Sequence, residues 1–183
     1  MNEPLVDECI VAIVAALQSV PAMTHNQLQR WLPHDFDMDA VLAQLIRRGL
    51  IRAAQFMVRT VDISDGPLAV FPGADRANDA KALAGRVRKR YGLPRKTVVY
   101  SLGELRRPLQ IDHEIGVAEV YLWYAANRPE WSWTPETPRR GALVPDATVI
   151  APDGRRIAID FIAEYRRPKL ESIAASGVDY ELW

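Results

Sequence analysis

Residues 143–165 read LVPDATVIAPDGRRIAIDFIAEY, and this stretch decides how the C-terminal half of the chain folds. Two apolar runs rich in β-branched residues flank the strong turn signal Pro152-Asp153-Gly154. The pattern predicts an antiparallel hairpin. With the turn at its centre, Asp146 on the first strand is expected to lie across from Asp160 or Phe161 on the second.

Acidic side chains on the second strand are candidates for chemistry. Asp160 lies inside the apolar segment 157–163, where an unpaired carboxylate costs free energy, so it either faces a partner such as an arginine or belongs to a site. Glu164 and Arg166 follow at alternate positions and share one face of the strand. Asp160 and Glu164 have the same strand parity. The sequence therefore leaves open which of them is the second acidic residue beside Asp146.

The first third of the chain has helical periodicity. Apolar residues recurring every 3.6 positions predict a helix over 6–19, a second over 25–32, and a third that begins at Asp37 or Asp39 and ends at Arg48. After them, the β-rich runs 50–63 and 68–71 are separated by a turn signal and predict a hairpin.

Two short motifs in this region resemble those of winged helix-turn-helix proteins. They are Thr24-x-x-Gln27-Leu28, which opens the second helix, and Leu45-x-x-x-Gly49-Leu50-Ile51, which closes the third. The resemblance covers about residues 5–72. It implies a DNA-binding module whose third helix enters the major groove and presents Gln44, Arg47 and Arg48. Acids at 35, 37 and 39 would repel phosphate, and winged helices also dock proteins, so both roles stay open.

The charges are balanced in sum but unevenly distributed. The chain has 23 basic and 23 acidic side chains, yet residues 81–107 contain nine basic residues and a single acid, Glu104. Such a cluster is a footprint of phosphate contact, although a solvated helix face has the same composition. We predict a basic connecting helix over 78–91 and a strand over 97–101. The candidate DNA contacts here are Arg86, Arg88, Lys89, Arg90, Arg95 and Lys96.

Composition excludes several classes of protein. A hydrophobic fraction of 49% with zero net charge excludes disorder.

The longest apolar run, 10–17, is too short to span a membrane. The N-terminal region carries acidic residues where a secretory signal has basic residues. We therefore expect a cytoplasmic protein without a membrane partner. The sequence has no Gly-rich phosphate loop, CxxC, HExxH or GxSxG motif, so nucleotide-dependent, zinc and serine-hydrolase chemistry lack their residues.

Pro145-Asp146 on one strand and Glu164-Tyr165-Arg166 on the next resemble the PD-(D/E)xK nuclease superfamily. The resemblance implies that Asp146 and Glu164 hold a metal, Mg²⁺ or Mn²⁺, and that Glu119 on the preceding helix adds a further acid. The candidate catalytic residues are Asp146, Glu164, Arg166, Asp160 and Glu119.

Arg166 stands where an active member of this superfamily has lysine. Arginine stays protonated and is a poor proton acceptor, so water activation would rest on the metal alone. The sequence leaves a divalent-metal-dependent DNA endonuclease open and favours a degenerate nuclease fold, inactive or weakly active.

A broader set of motifs resembles the replication-relaxation family of plasmid- and phage-associated proteins. The set comprises the winged helix, His113 with Gly116-Val117-Ala118-Glu119-Val120, a Trp-containing strand, Val144-Pro145-Asp146, Pro152-Asp153-Gly154 and Glu164-Tyr165-Arg166. The resemblance spans most of the chain. It implies a duplex-DNA-binding protein of plasmid or phage replication, mobilisation or conjugative transfer.

The resulting prediction is an α+β protein in three parts. A winged helix-turn-helix domain occupies 1–75, a basic connecting helix 76–96, and a small restriction-endonuclease-like α/β domain 97–183. The alternative is a protein-interaction adaptor or inhibitor of a replication or transfer machine that does not cleave DNA, which the acidic N-terminal third supports. A homodimer is compatible with either, since winged-helix proteins are commonly dimers.

Overall fold

The computed structural model describes residues 3–32, 37–72, 80–105, 110–137, 144–162 and 167–183. Within them the chain forms six helices and two sheets, so the predicted α+β class is confirmed. No described helix is long and apolar enough to cross a lipid bilayer. In chain order the elements are α1 (Glu3–Ser19), β1 (Met23–Thr24), α2 (His25–Trp31), α3 (Met38–Arg47), β2 (Arg52–Val61), β3 (Ala69–Phe71), α4 (Ala80–Arg90), β4 (Tyr91–Ser101), α5 (Ile111–Asn127), β5 (Ser132–Pro135), β6 (Ala147–Ile150), β7 (Arg156–Asp160), α6 (Arg167–Ser176) and β8 (Tyr180–Leu182).

The chain divides into two compact units. Unit 1 comprises Met1–Val58 and Pro94–Ala118, and unit 2 comprises Arg59–Leu93 and Glu119–Trp183. This division differs from the predicted consecutive one at 1–75, 76–96 and 97–183. The physical reason is strand pairing, because β3 joins a sheet with β8 from the end of the chain, and β4 joins a sheet with β1 and β2 from its beginning.

A capping box fixes the start of α2 in unit 1. The Thr24 hydroxyl accepts a hydrogen bond from the Gln27 backbone N–H at 3.3 Å, and Gln27 Oε1 accepts one from the Thr24 N–H at 2.8 Å. Gln27 is buried, and its Nε2 donates to the Ile115 carbonyl at 2.9 Å. The Thr24-x-x-Gln27 motif therefore ties α2 to the first turns of α5 as well as capping it.

The third helix begins at an aspartate cap. Asp37 Oδ1 accepts a hydrogen bond from the Ala40 N–H at 3.0 Å, and Asp39 lies in the first turn. Carboxylates are favourable at this end because they interact with the positive pole of the helix dipole. Gly49 follows the helix with a φ of 68°, which only glycine adopts at little cost. The predicted third helix is confirmed, with Asp37 as its cap.

The hairpin predicted from 50–63 and 68–71 is wrong. In unit 1's sheet, of order β1-β4-β2, the neighbour of β2 is β4, and β3 pairs antiparallel with β8 in the other sheet. The local turn does form, with the Gly66 N–H bonded to the Ile63 carbonyl at 2.9 Å. Burial of Ala69 and Phe71 in the core of unit 2, rather than this turn, decides the partner of β3.

Unit 2 is built on a five-stranded sheet of order β3-β8-β7-β6-β5. The predicted hairpin around Pro152-Asp153-Gly154 is confirmed as β6 and β7, with Ala147 opposite Ile159 and Ile150 opposite Arg156. β7 and β8 run parallel, and α6 lies between them in sequence as the crossover. Neither α6 nor β8 was predicted, because α6 has a narrow apolar stripe and β8 has three residues.

Helices cover both faces of this sheet. Strand residues alternate between faces, and Ala158, Tyr180 and Leu182 share one face, where they pack with α4 and α6. On the other face Tyr121 of α5 contacts Trp133 with ring centroids 5.5 Å apart. The predicted basic helix is confirmed as α4, which is a packed part of unit 2 because its side chains Leu83 and Val87 are buried in this core.

We expect Gln27→Ala to lower the free energy of unfolding by about 1–3 kcal/mol, because it leaves the buried Thr24 N–H and Ile115 carbonyl without their partner. Urea denaturation measures the change. The matched control is Gln29→Ala on the exposed side of the same helix, which should change stability little. Equal losses of stability in the two variants would contradict the role of Gln27 in linking α2 to α5.

Candidate functional site

Two aspartates of unit 2 lie side by side at one end of the β6–β7 hairpin. Asp146 directly precedes β6 and Asp160 ends β7, and their carboxylate oxygens lie within 4.8 Å of each other. The Asp146 N–H donates to the Ile159 carbonyl at 2.8 Å, and Asp146 Oδ2 accepts from the Phe161 N–H at 2.8 Å. The hairpin register thus brings the two carboxylates together, as the sequence predicted for Asp146 and residues 160–161.

Asp160 is buried and has two charged or polar partners from later in the chain. Lys169 Nζ, in the first turn of α6, lies 2.5 Å from Asp160 Oδ2. The Tyr180 hydroxyl on β8 donates to the same oxygen at 3.1 Å. The Asp160 side chain is 1% exposed and that of Lys169 is 41% exposed, so the lysine joins the buried carboxylate to solvent. Asp146, Asp160, Lys169 and Tyr180 together form the acidic site.

The acidic site shifts the proton equilibria of its members. Burial raises the pKa of Asp146 well above its ordinary value, and the neighbouring Asp160 carboxylate raises it further. Burial and the Asp160 charge also raise the pKa of Tyr180. Tyr180 is therefore a hydrogen-bond donor at ordinary pH, and Asp146 keeps its proton to a higher pH than an ordinary aspartate does.

The other predicted site residues are placed differently. Glu164 and Arg166 lie outside the described residues. Glu119 is half-buried on α5. Among the described residues, it is not part of the group whose ligand atoms lie within 4.8 Å of both Asp146 and Asp160, so its role stays a prediction. Lys169 and Tyr180 were missed. The sequence pattern gave no signal for Lys169, because it lies in the first turn of α6, a helix that the pattern did not predict.

The predicted DNA-contacting residues fall in both units. In unit 1, Gln44 is half-buried on α3, and the exposed members are Arg47, Arg48, Arg95 and Lys96. In unit 2, Arg86, Arg88 and Lys89 are exposed on α4. Arg90 differs from them, because its guanidinium is half-buried and donates to the Gly66 carbonyl. Burial lowers the pKa of Arg90, and its main contact is with the turn after β2.

A second buried carboxylate, Glu181, lies on the opposite face of the sheet. Its Oε2 accepts hydrogen bonds from the Tyr124 hydroxyl at 2.6 Å and from Trp183 Nε1 at 3.1 Å, and Arg128 Nη1 lies 3.8 Å from Oε1. The Arg128 guanidinium also stacks over Trp131, 4.5 Å from its ring centre. These paired groups stabilise the packing of α5 on the sheet.

No protein-family model, curated protein or solved structure matches this chain.

The raised pKa of Asp146 predicts how stability depends on pH. The folded protein holds a proton on Asp146 at pH values where the unfolded chain has released it, so the free energy of unfolding falls as pH rises from the ordinary carboxyl range through the raised pKa. Asp146→Asn cannot lose a proton, and its amide can donate to Asp160. We expect this variant to lose that decline and to be more stable than the wild-type protein above the raised pKa.

The free energy of unfolding of both proteins is measured by urea denaturation in the presence of a chelator. The measurements run from about pH 4 to about pH 8, which covers ordinary and raised carboxyl pKa values. Asp153→Asn is the control in the same hairpin, because Asp153 is exposed and an Asn oxygen can still accept from the Arg155 N–H. If the free energy of unfolding changed with pH in the same way in Asp146→Asn and in the wild-type protein, the raised pKa of Asp146 would be contradicted.

Proposed function

We propose that this chain is a DNA-associated protein of plasmid or phage replication, mobilisation or transfer, and that its unit 2 is a divalent-metal-dependent nuclease domain. The observation that carries the proposal is the ion pair of Lys169 with Asp160, beside Asp146. Two carboxylates and a lysine are the residue types of a PD-(D/E)xK site. In this proposal Asp160, and not Glu164, is the second acidic residue that binds the metal. Lys169, and not Arg166, is the positively charged residue of the site.

The donor set fits a hard divalent cation. Asp146 and Asp160 offer carboxylate oxygens, which Mg²⁺ and Mn²⁺ prefer. Asp160 Oδ1 is buried and accepts no hydrogen bond from a described donor, so a ligand-binding position is available on it. When bound, such a cation lowers the pKa of its water and offsets charge on a phosphodiester.

Lys169 changes the expectation of a degenerate site. Its ammonium lies against Asp160 and is partly open to solvent, where it can neutralise charge that develops on a phosphate oxygen. Because Lys169 supplies the positive charge that Arg166 was expected to supply and is the residue type of a PD-(D/E)xK site, we favour an active nuclease over a relic.

The architecture of both units supports a DNA-linked role. Unit 1 has three helices and a sheet of order β1-β4-β2, which are the kinds of element that a winged helix-turn-helix uses, and Arg47 and Arg48 are exposed at the end of α3. In this proposal β2 and β4 take the place of the hairpin first expected from 50–63 and 68–71. In unit 2 a mixed sheet with helices on both faces is compatible with the proposed restriction-endonuclease-like domain. The exposed cations of α4 add a surface suited to phosphate contact.

Cleavage of plasmid DNA in Mg²⁺ or Mn²⁺ tests the nuclease. We expect nicking or linearisation that Asp146→Ala and Asp160→Asn abolish, and that Lys169→Ala reduces by about 10²-fold or more, because a positioned cation that stabilises charge in the transition state contributes about that much. Arg156→Ala is the control, since it removes an exposed positive charge outside the acidic site. Cleavage that survives Asp146→Ala, or calorimetry with Mn²⁺ that detects no binding, would remove the proposal.

The salt dependence of DNA affinity tests the basic surface. We expect duplex affinity, measured by fluorescence anisotropy, to fall steeply between about 50 and 200 mM salt, as phosphate contacts require. Arg86→Ala and Arg88→Ala should each reduce the slope of log affinity against log salt by about 1. Arg156→Ala again serves as the control of equal charge. A flat salt response would contradict DNA binding.

A flat response would favour the second candidate, a protein-docking adaptor or inhibitor. Large apolar side chains are exposed in both units: Val11 on α1 is 68% exposed, and Leu93 on β4 is 80% exposed. Exposed apolar residues of this size are common at protein-binding surfaces.

A further inference from the structure

A cavity of about 600 Å³ lies in unit 2 on the same face of the sheet as Asp160. Its floor is a row across three strands, in which Thr148 on β6 pairs with Ala158 on β7, and Ala158 pairs with Tyr180 on β8. Because side chains alternate along a strand, Ala158 and Asp160 point to the same side. Ala158 has the smallest side chain of this row.

Tyr180 is shared by the cavity and the acidic site. It lines the cavity, and its hydroxyl donates to Asp160 Oδ2 at 3.1 Å. On the other strand Pro145 also lines the cavity and directly precedes Asp146. A molecule whose phosphodiester lay at the aspartates could therefore place the adjoining part of the same nucleotide in the cavity.

The polar lining favours one chemical class of occupant. Glu136 lines the cavity, and its Oε1 accepts a hydrogen bond from the Thr148 hydroxyl at 2.8 Å, which fixes the carboxylate on the cavity wall. A carboxylate repels phosphate and accepts hydrogen bonds from N–H groups. The rest of the lining is uncharged and mixes apolar residues such as Val144 and Val178 with the aromatic Tyr180 and with hydroxyl groups. A flat neutral ring with N–H donors on its edge matches this combination.

We propose that the cavity binds an unstacked nucleobase of the substrate next to the scissile phosphodiester, with Glu136 selecting guanine. Guanine is selected because its N1–H and N2–H donors are neighbours and can both meet one carboxylate, whereas thymine has a single N–H and adenine and cytosine each have one amino group. The volume lies within the range of small-molecule sites. The inference rests on the proposed function, since it takes the acidic site as the place of the phosphodiester.

The test uses the full chain and oligothymidylate strands that carry one guanine or, in its place, one hypoxanthine, which lacks the N2 amino group. Binding is measured by fluorescence anisotropy in chelator, and cleavage position is mapped in Mn²⁺. We expect the guanine strand to bind at least about tenfold more tightly, as a bidentate contact requires. Cleavage should be concentrated at the linkage next to the guanine. Glu136→Gln, which keeps the size and the bond to Thr148, should remove the preference.

A filled cavity provides the second variant. Val178→Phe places a ring at the cavity rim from a position that is 49% exposed, so it should weaken binding of the guanine strand by about tenfold with little effect on folding. Val70→Phe is the matched control, because Val70 is 47% exposed on β3 and does not line the cavity.

The outcomes separate the two proposals. Guanine preference that Glu136→Gln removes supports the nucleobase site, even if no strand is cleaved and the nuclease proposal fails. Cleavage without preference for guanine, or a preference that Glu136→Gln leaves unchanged, overturns the nucleobase site and leaves the nuclease proposal standing. Equal effects of Val178→Phe and Val70→Phe also overturn the nucleobase site.

Discussion

The buried Asp160 carboxylate lies beside the half-buried Asp146, and the ion pair of Lys169 with Asp160 offsets the cost of placing two acids together. Much of unit 2 depends on this arrangement. Lys169 fixes the first turn of α6 beside the end of β7, and Tyr180 fixes β8 through its bond to the same oxygen. These two contacts with Asp160 attach α6 and β8 to the end of the β6–β7 hairpin.

The cost of this arrangement appears at Asp146. Burial and the neighbouring Asp160 carboxylate raise its pKa, which means that its charged form is disfavoured in the folded protein. Glu181 gives the contrast within the same sheet. That carboxylate is buried, and two donors and Arg128 are its partners. In the acidic site, by contrast, Asp160 Oδ1 is buried and accepts no hydrogen bond from a described donor.

The hairpin and its register could be predicted because the turn and the period-two pattern are local features of the sequence. The same reasoning failed at β2 and β3, where an equally local turn formed but the strands joined different sheets. Local signals specify that a chain turns, whereas burial of residues such as Phe71 among side chains distant in sequence specifies which strand it meets. The lysine of the acidic site was missed for a similar reason, since it belongs to a helix that the sequence pattern did not predict.

The sequence by itself determined the α+β class, the first three helices, the basic helix and the opposition of Asp146 to the segment that contains Asp160. These follow from periodicity, capping residues and turns, which act over a few residues. The tertiary structure decided the pairing of β3 with β8, the interleaving of the two units, and the choice of Lys169 and Tyr180 as partners of Asp160. These depend on contacts between residues far apart in the chain, whose free energy is gained only when the sheets and their covering helices pack together.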